Sequence, residues 1–358
     1  RRRGISGIRC TQGADDRDRQ AKAGSLPSGR SMDSMTPPDQ ATLPWETPLA
    51  QPDPPQPTPV SPLIRFGTST WTYEGWQGQI YQRTYPKTAF RRESLGEYYQ
   101  YRYKGQPLFS TVGNDSTFYR PPTASQLTNY LRMMPDHVQM CCKVWEEITI
   151  PTYAKHARYG VRAGQPNPHF LNAEAFNQLV LQPYRDAQFQ AQTGPFLFEF
   201  QRNALLTDEF VTRLDTFFSR LPTDFAYAVE IRNASFLGAR YRDTLHAHGV
   251  AHVYNHWSYM PPLAEQHARM RSFTAPFAVL RLLTPLKMTY AAAKARAEPY
   301  TRIVEALPDM RRETVALVTH AAREGRTVHV LVNNRAEGNA PMTVQALVDM
   351  IQGGLEGS

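Results

Sequence analysis

The sequence predicts an α/β fold: a TIM-type (β/α)8 barrel preceded by a disordered Pro-rich N-terminal tail. Three observations lead there. Of the 29 prolines in 358 residues, 11 fall within residues 1–62. From Leu63 onward, eight short apolar runs alternate with stretches of helical periodicity. Each of those runs ends in polar or charged residues.

Residues 1–31 hold Arg1, Arg2, Arg3, Arg9, Arg17, Arg19 and Arg30 among Asp, Gln and Gly, with no hydrophobic period, which reads as disorder. Met32 and Met35 follow, so the first stretch is expected to be an over-extended start or a fragment end. Pro52, Pro54, Pro55, Pro57, Pro59 and Pro62 then form an extended lead, either an inert linker or a PxxP ligand. Residues 1–62 are therefore tail and linker, and 63–358 the folded domain. The tail carries a net charge of +1, so +7 of the formal +8 belongs to the domain. That balance suits an anionic ligand without identifying one.

With 41% hydrophobic residues the chain builds a sizeable core. No apolar run approaches the roughly 18 to 20 residues of a membrane helix, and the N-terminus lacks a secretory apolar segment. A soluble cytoplasmic protein with no membrane partner is expected. Of the 3 cysteines, Cys10 lies in the tail, while Cys141 and Cys142 are neighbours in a predicted strand and face opposite sides of it. They read as small buried hydrophobes. The absence of CxxC, HExxH, Walker A and GxSxG patterns leaves no cofactor predicted.

The runs are Leu63–Phe66, Leu108–Val112, Val138–Val144, Phe196–Phe200, Phe225–Val229, Val250–Tyr254, Phe277–Leu280 and Thr327–Val332. Several are almost continuously apolar, as strands are when both faces are covered in a parallel sheet. Between them lie helical patterns such as Phe210, Leu214, Phe217 and Phe218. Another pattern, Ile303, Leu307, Val315 and Val318, crosses a break at Pro308. A doubly wound open sheet also alternates strand and helix, but usually carries a Gly-rich phosphate loop after its first strand. Gly67-Thr-Ser-Thr-Trp71 is not one.

The exits bear the chemistry. They read Gly67–Trp71, Gly113–Thr117, Lys143–Glu147, Glu199–Asn203, Glu230–Asn233, Asn255–Ser258, Arg281 with Thr284, and Asn333–Glu337. Charges next to strands packed on both faces are costly unless they gather at the strand ends, where a barrel has its mouth. Strand alternation puts Glu230 and Arg232 on one side, and Glu199 and Gln201 likewise. Glu199 and Glu230 are then close, so one holds a proton near neutral pH unless Arg232 offsets the repulsion. A structural Glu230, Arg232 and Glu199 network is the alternative. Asp115 leaves the second strand with Ser116, Thr117 and Tyr119, either for chemistry or as an Asx-turn. Lys143 is a site cation, a Schiff-base nucleophile or an outer-layer cap.

Asn333 and Asn334 precede a helix starting at Pro341 or Thr343, whose N–H groups would attract an anion; the alternative is that Asn339 and Gly338 serve only the turn. His246, His248, His252 and His256 are spread over a helix end, a loop and a strand, so no metal site is predicted. Trp71, Tyr73, Trp76, Tyr81, Phe118 and Tyr119 crowd the first two exits, as stacking surfaces or as the barrel's top layer.

Four separated blocks occur in order: Gly67–Trp71 with Tyr73, Gly75, Trp76 and Gly78; Ser116–Pro121; Glu230–Arg232; and Val332–Asn334 with Glu337–Pro341. Together they resemble the YecE-like family, domain of unknown function 72, from about residue 63 to the C-terminus. The resemblance implies a TIM-type barrel and no established activity. This chain departs from the family pattern at Gly113 and Asp115, where a Glu and an Asn are common. Ile150 and Leu283 replace two histidines. Acid–base work, if any, then falls to Asp115, Glu199 or Glu230.

The first functional expectation is a hydrolase or lyase without an obligatory redox cofactor, acting on a phosphorylated sugar or nucleotide-like anion. Glu230, Asp115 and Glu199 would be catalytic. Arg232, Arg281, Lys143, Asn333, Asn334, Trp71, Tyr119 and Ser116 would bind substrate. Nucleic-acid binding or processing is the alternative that draws on the +7 charge. A non-catalytic scaffold, with its mouth plugged by side chains, is the third.

Overall fold

The computed structural model describes residues 60–202 and 207–354. The tail to Pro59, including Cys10, and Asn203 at the fourth exit lie outside the described residues. The eight expected strands are present: β1 Ile64–Thr68, β2 Thr111–Asn114, β3 Gln139–Cys142, β4 Phe196–Phe200, β5 Tyr227–Ile231, β6 Ala251–His256, β7 Phe277–Leu282 and β8 Thr327–Val332. A six-stranded parallel sheet runs in the order β1-β8-β7-β6-β5-β4, and β2 pairs in parallel with β3. The pair adjoins both edge strands of that sheet. Ser110 N donates to Phe66 O at 2.9 Å, Val144 N to Leu197 O at 2.9 Å, and Gly194 N to Met140 O at 2.9 Å. A short antiparallel hairpin, Arg102–Tyr103 with Gln106–Pro107, was not foreseen.

Alternation along the strands builds two apolar layers. On the helix side, Phe196, Phe198 and Phe200 are fully buried in the main core. Their rings meet Phe176 at 5.9 Å, Phe217 at 5.5 Å and Phe210 at 4.9 Å. Each such ring contributes about 1.5–3 kcal/mol by leaving water. On the opposite face a separate small core joins Cys141, Leu197, Ala228, Ala251, Val253, Val279 and Leu331. Small side chains suit that side because it is crowded from several strands at once. Beneath them Thr111 Oγ1 lies 3.2 Å from His329 Nδ1. Burial pushes the His329 imidazole down to about 3 and the Cys141 thiol up to about 12, so both are neutral packing groups.

The strand ends correct the sequence reading in one respect. Thr68, Asn114, Glu230, Asn255 and Arg281 are strand residues and not loop residues, so several apolar runs stop short of the strands they mark. Helices alternate with the strands, among them α1 Ala124–Leu131, α2 Thr207–Phe218, α3 Pro308–Arg323, α4 Asn334–Glu337 and α5 Ala340–Gln352. Pro308 opens α3 instead of breaking it, because a first-turn residue has no N–H partner to lose. A capping box between Thr123 and Gln126 starts α1. Among the described residues, no helix is long and apolar enough to cross a membrane.

Close backbone approach explains Gly113. A Cβ there would stand 2.6 Å from the Ser69 carbonyl oxygen, which cannot swing away. Gly113→Ala is therefore expected to destabilise the fold by about 1–3 kcal/mol or more. Gly96→Ala, whose Cβ would find its nearest neighbour 3.8 Å away in a helix, should be neutral or stabilising. Denaturant unfolding of the two variants makes the comparison.

Candidate functional site

The inner face of the sheet ends in charge. Glu199 on β4 and Glu230 on β5 are register partners, so two carboxylates stand side by side. Glu230 is fully buried and the Glu199 side chain is 14% exposed. Three cations reach them from three directions. Lys143, just past β3, places Nζ 2.9 Å from Glu199 Oε2. Arg232, just past β5, donates through Nη2 to Glu199 Oε2 at 2.9 Å. The same nitrogen lies 2.6 Å from Glu230 Oε1, an ion-pair contact without hydrogen-bond alignment.

Arg281 on β7 is the hub. Its Nη1 donates to Glu230 Oε2 and, at 3.1 Å, to Glu199 Oε2, while Nη2 donates to Asp115 Oδ1 at 3.2 Å. Burial opposes charge on Arg281, but the carboxylates of Glu230, Asp115 and Glu199 more than offset it and raise its pKa. Burial also works to raise the Glu199 carboxyl. Lys143, Arg232 and Arg281 outweigh burial and hold it well below the usual carboxylate range. The offset anticipated from Arg232 alone thus comes from three cations.

Over this network opens a cavity of about 470 Å³. It is lined by residues following seven of the eight strands, from Asp115 after β2 to Arg335 after β8. The Lys143 ammonium also sits 4.0 Å from the Phe118 ring centre, and the Arg232 guanidinium 4.6 Å from the Trp257 ring. Asp115 differs from the other two acids because its side chain is 41% exposed.

Of the other candidates, Tyr119 alone reaches this cavity. Tyr119 lines the cavity and is 64% exposed. Ser116 Oγ donates to Asn114 Oδ1 at 2.6 Å and faces a neighbouring cavity. Trp71 is buried in the core, its Nε1 donating to Arg91 O at 3.3 Å. Asn333 Oδ1 caps α4 by accepting from Arg335 N at 3.1 Å. Asn334 Oδ1 and Asn339 Oδ1 accept from Ala340 N and Met342 N at 2.9 Å each, Pro341 has no N–H, and Thr343 N donates to Asn339 O. The start of α5 therefore has no donor left for an anion.

His256 Nδ1 contacts Thr284 O at 2.9 Å. His252 packs on the Tyr254 ring and lies 3.3 Å from the Tyr241 hydroxyl. No group of three His, Cys, Asp or Glu able to hold a metal occurs among the described residues. The departures fit their places: Ile150 is buried with Tyr153 and Tyr159, and Leu283 lines the cavity.

Sequence reasoning missed Arg202 and Arg335. Both line the cavity, each stacked 4.5 Å from a tyrosine ring, Tyr259 and Tyr290 respectively. Both arginines lay inside the quoted exits, where position relative to Glu199 and Asn333 was the available signal.

Replacing Glu199 leaves three cations short of a partner, so Glu199→Gln is expected to cost about 3–5 kcal/mol at pH 7. Because the folded pKa is depressed, this stabilisation is complete above the unfolded value of about 4.3 and is lost as pH falls below it. The gap between wild type and variant in urea should therefore narrow from pH 6 toward pH 3.

No curated protein matches this chain. Its structure is similar to a DUF72 family protein of Enterococcus faecalis V583, with a TM-score of 0.57 at 15% identity, over 80% of this chain and 96% of that one. A DUF72 family protein of Thermotoga maritima MSB8 gives a TM-score of 0.54 at 16% identity, over 80% and 98%. These likenesses speak to fold. Across residues 65–357 the sequence matches the family model described as "Protein of unknown function DUF72", and the chain belongs to that family.

Proposed function

We propose that the eight parallel strands close into a TIM-type (β/α)8 barrel, and that its C-terminal mouth binds and transforms an anionic substrate. The substrate class is a phosphorylated sugar or nucleotide-like molecule, and the chemistry is acid–base, of hydrolase or lyase type. Closure is supported by the backbone bonds from β2 to β1 and from β3 to β4, and by the separate apolar layer inside the strands.

One observation carries the functional reading: the cavity has more positive charge than its own acids neutralise. Lys143, Arg202, Arg232, Arg281 and Arg335 line it, against Asp115, Glu199 and the underlying Glu230. Arg202 and Arg335 have no carboxylate partner among the described residues. The buried Arg232 Nη1 and Arg335 Nε have no hydrogen-bond partner either. An anion in the cavity would pair with the charge that Arg202 and Arg335 leave uncompensated.

Glu199 and Glu230 are consumed by the network, whereas Asp115 combines one arginine contact with an open side. Asp115 is therefore the acid–base group of this reading, with Arg281 fixing its position. A plugged mouth, the mark of a scaffold, is at odds with the open cavity. Calorimetry with inorganic phosphate tests the anion site. Replacing both Arg202 and Arg335 with Ala should weaken binding about tenfold or more, and undiminished binding would refute the reading. Asp115→Asn should leave phosphate bound and slow turnover of any phosphate ester found to react by about a hundredfold or more.

A second reading, a mouth for nucleic acid, is favoured by its tyrosines. Tyr119, Tyr259 and Tyr290 are 64%, 49% and 58% exposed, and arginines stack on all three. It predicts that a single-stranded oligonucleotide binds with affinity falling steeply as salt rises, and that Tyr259→Ala weakens it.

A further inference from the structure

We propose a second subsite beside the mouth that holds the hydroxylated, sugar-like half of the substrate whose anionic half sits among Lys143, Arg202 and Arg335. This rests on the anion-binding reading above and deepens it. A separate cavity of about 440 Å³ opens where the exits of β1 and β2 meet. It shares two side chains with the mouth, Asp115 and Tyr119, which line both. A single ligand spanning the two passes along Asp115 and Tyr119.

The walls of the two cavities differ in kind. Charge dominates the mouth, whereas in the second cavity neutral hydroxyl and amide side chains outnumber the charged ones, Asp115, Arg91 and Arg120. Thr70 Oγ1 and Thr72 Oγ1 lie 2.8 Å apart, and a hydroxyl offers one donor and two acceptor positions, so the pair has capacity left for a ligand. Gln126 uses its Oε1 to accept from Thr123 N at 3.0 Å, which leaves its amide NH2 for a ligand oxygen. Apart from Asp115 the lining holds no carboxylate, and it has no aliphatic Leu, Ile or Val side chain. With Arg91 and Arg120 as further donors to ligand oxygens, that combination disfavours a cation or a hydrocarbon and suits a polyol, with the ring of Tyr119 as its flank. The volume falls within the range of small-molecule sites.

The geometry also locates the linkage. Asp115 follows β2 directly, and Arg281 holds its Oδ1 at 3.2 Å. The bond joining the two halves of the substrate therefore lies against the one network carboxylate with an open side. This links the two cavities in a single site: one recognises charge, the other hydroxyl pattern, and the reacting position lies between them.

The test is calorimetric titration of the full chain with inorganic phosphate, ribose 5-phosphate and glucose 1-phosphate. At least one sugar phosphate should bind about tenfold tighter than phosphate. The Thr70→Val, Thr72→Val double variant should erase that gain and leave phosphate affinity unchanged, which also reports an intact fold. Phosphate binding with no gain from either sugar, or a gain that survives the double variant, overturns the subsite and leaves the anion site standing. Failure of all three ligands to bind overturns both.

Discussion

Two acids placed side by side set the terms for the rest of the molecule. Register makes Glu199 and Glu230 neighbours on β4 and β5, where water does not reach Glu230 and reaches Glu199 only in part. Taking each ion out of water costs several kcal/mol, which the structure repays only if cations arrive with good geometry. Arg281 must come from β7, Lys143 from beyond β3 and Arg232 from beyond β5, so strands distant in sequence are held to one arrangement. Such a network adds little net stability over an apolar replacement. Its effect is positional: it fixes where Asp115 and the cavity lie.

The support beneath that layer is built for close approach. Ala228, Ala251, Val253 and Val279 fill the space below the charges with small volume. At β2, Gly113 lets the strand lie directly against the Ser69 backbone. A bulkier residue there would push β2 outward and carry Asp115 away from Arg281.

Much of the fold was legible because strands covered on both faces leave continuous apolar runs, and helices between them leave a different period. The strand ends were less legible, since Glu230 and Arg281 look like loop residues until a partner charge is known. The convergence of Asp115, Glu199, Glu230, Arg232, Arg281 and Lys143 was readable from alternation plus the cost of isolated burial. The place of Arg202 and Arg335 at the cavity was not, because both lie beyond the strands, where alternation gives no direction. Trp71 misled for the opposite reason: an aromatic beside a strand exit resembles a rim, but its indole is buried and bonded to Arg91 O. The asparagines after β8 are polar for the sake of their own helix starts.

The saturated start of α5 has a consequence for how this mouth can vary. With the backbone N–H groups already engaged by Asn334 and Asn339, the positive charge at the opening comes from side chains. Arg202 hangs from a loop and Arg335 from the single turn of α4, so neither carries strand hydrogen bonds. Exchanging either one retunes the electrostatics of the opening in a single substitution, while the strand-borne acids and their guanidinium partners stay locked to one another. The charge of the opening and the integrity of the strand framework thereby rest on different residues.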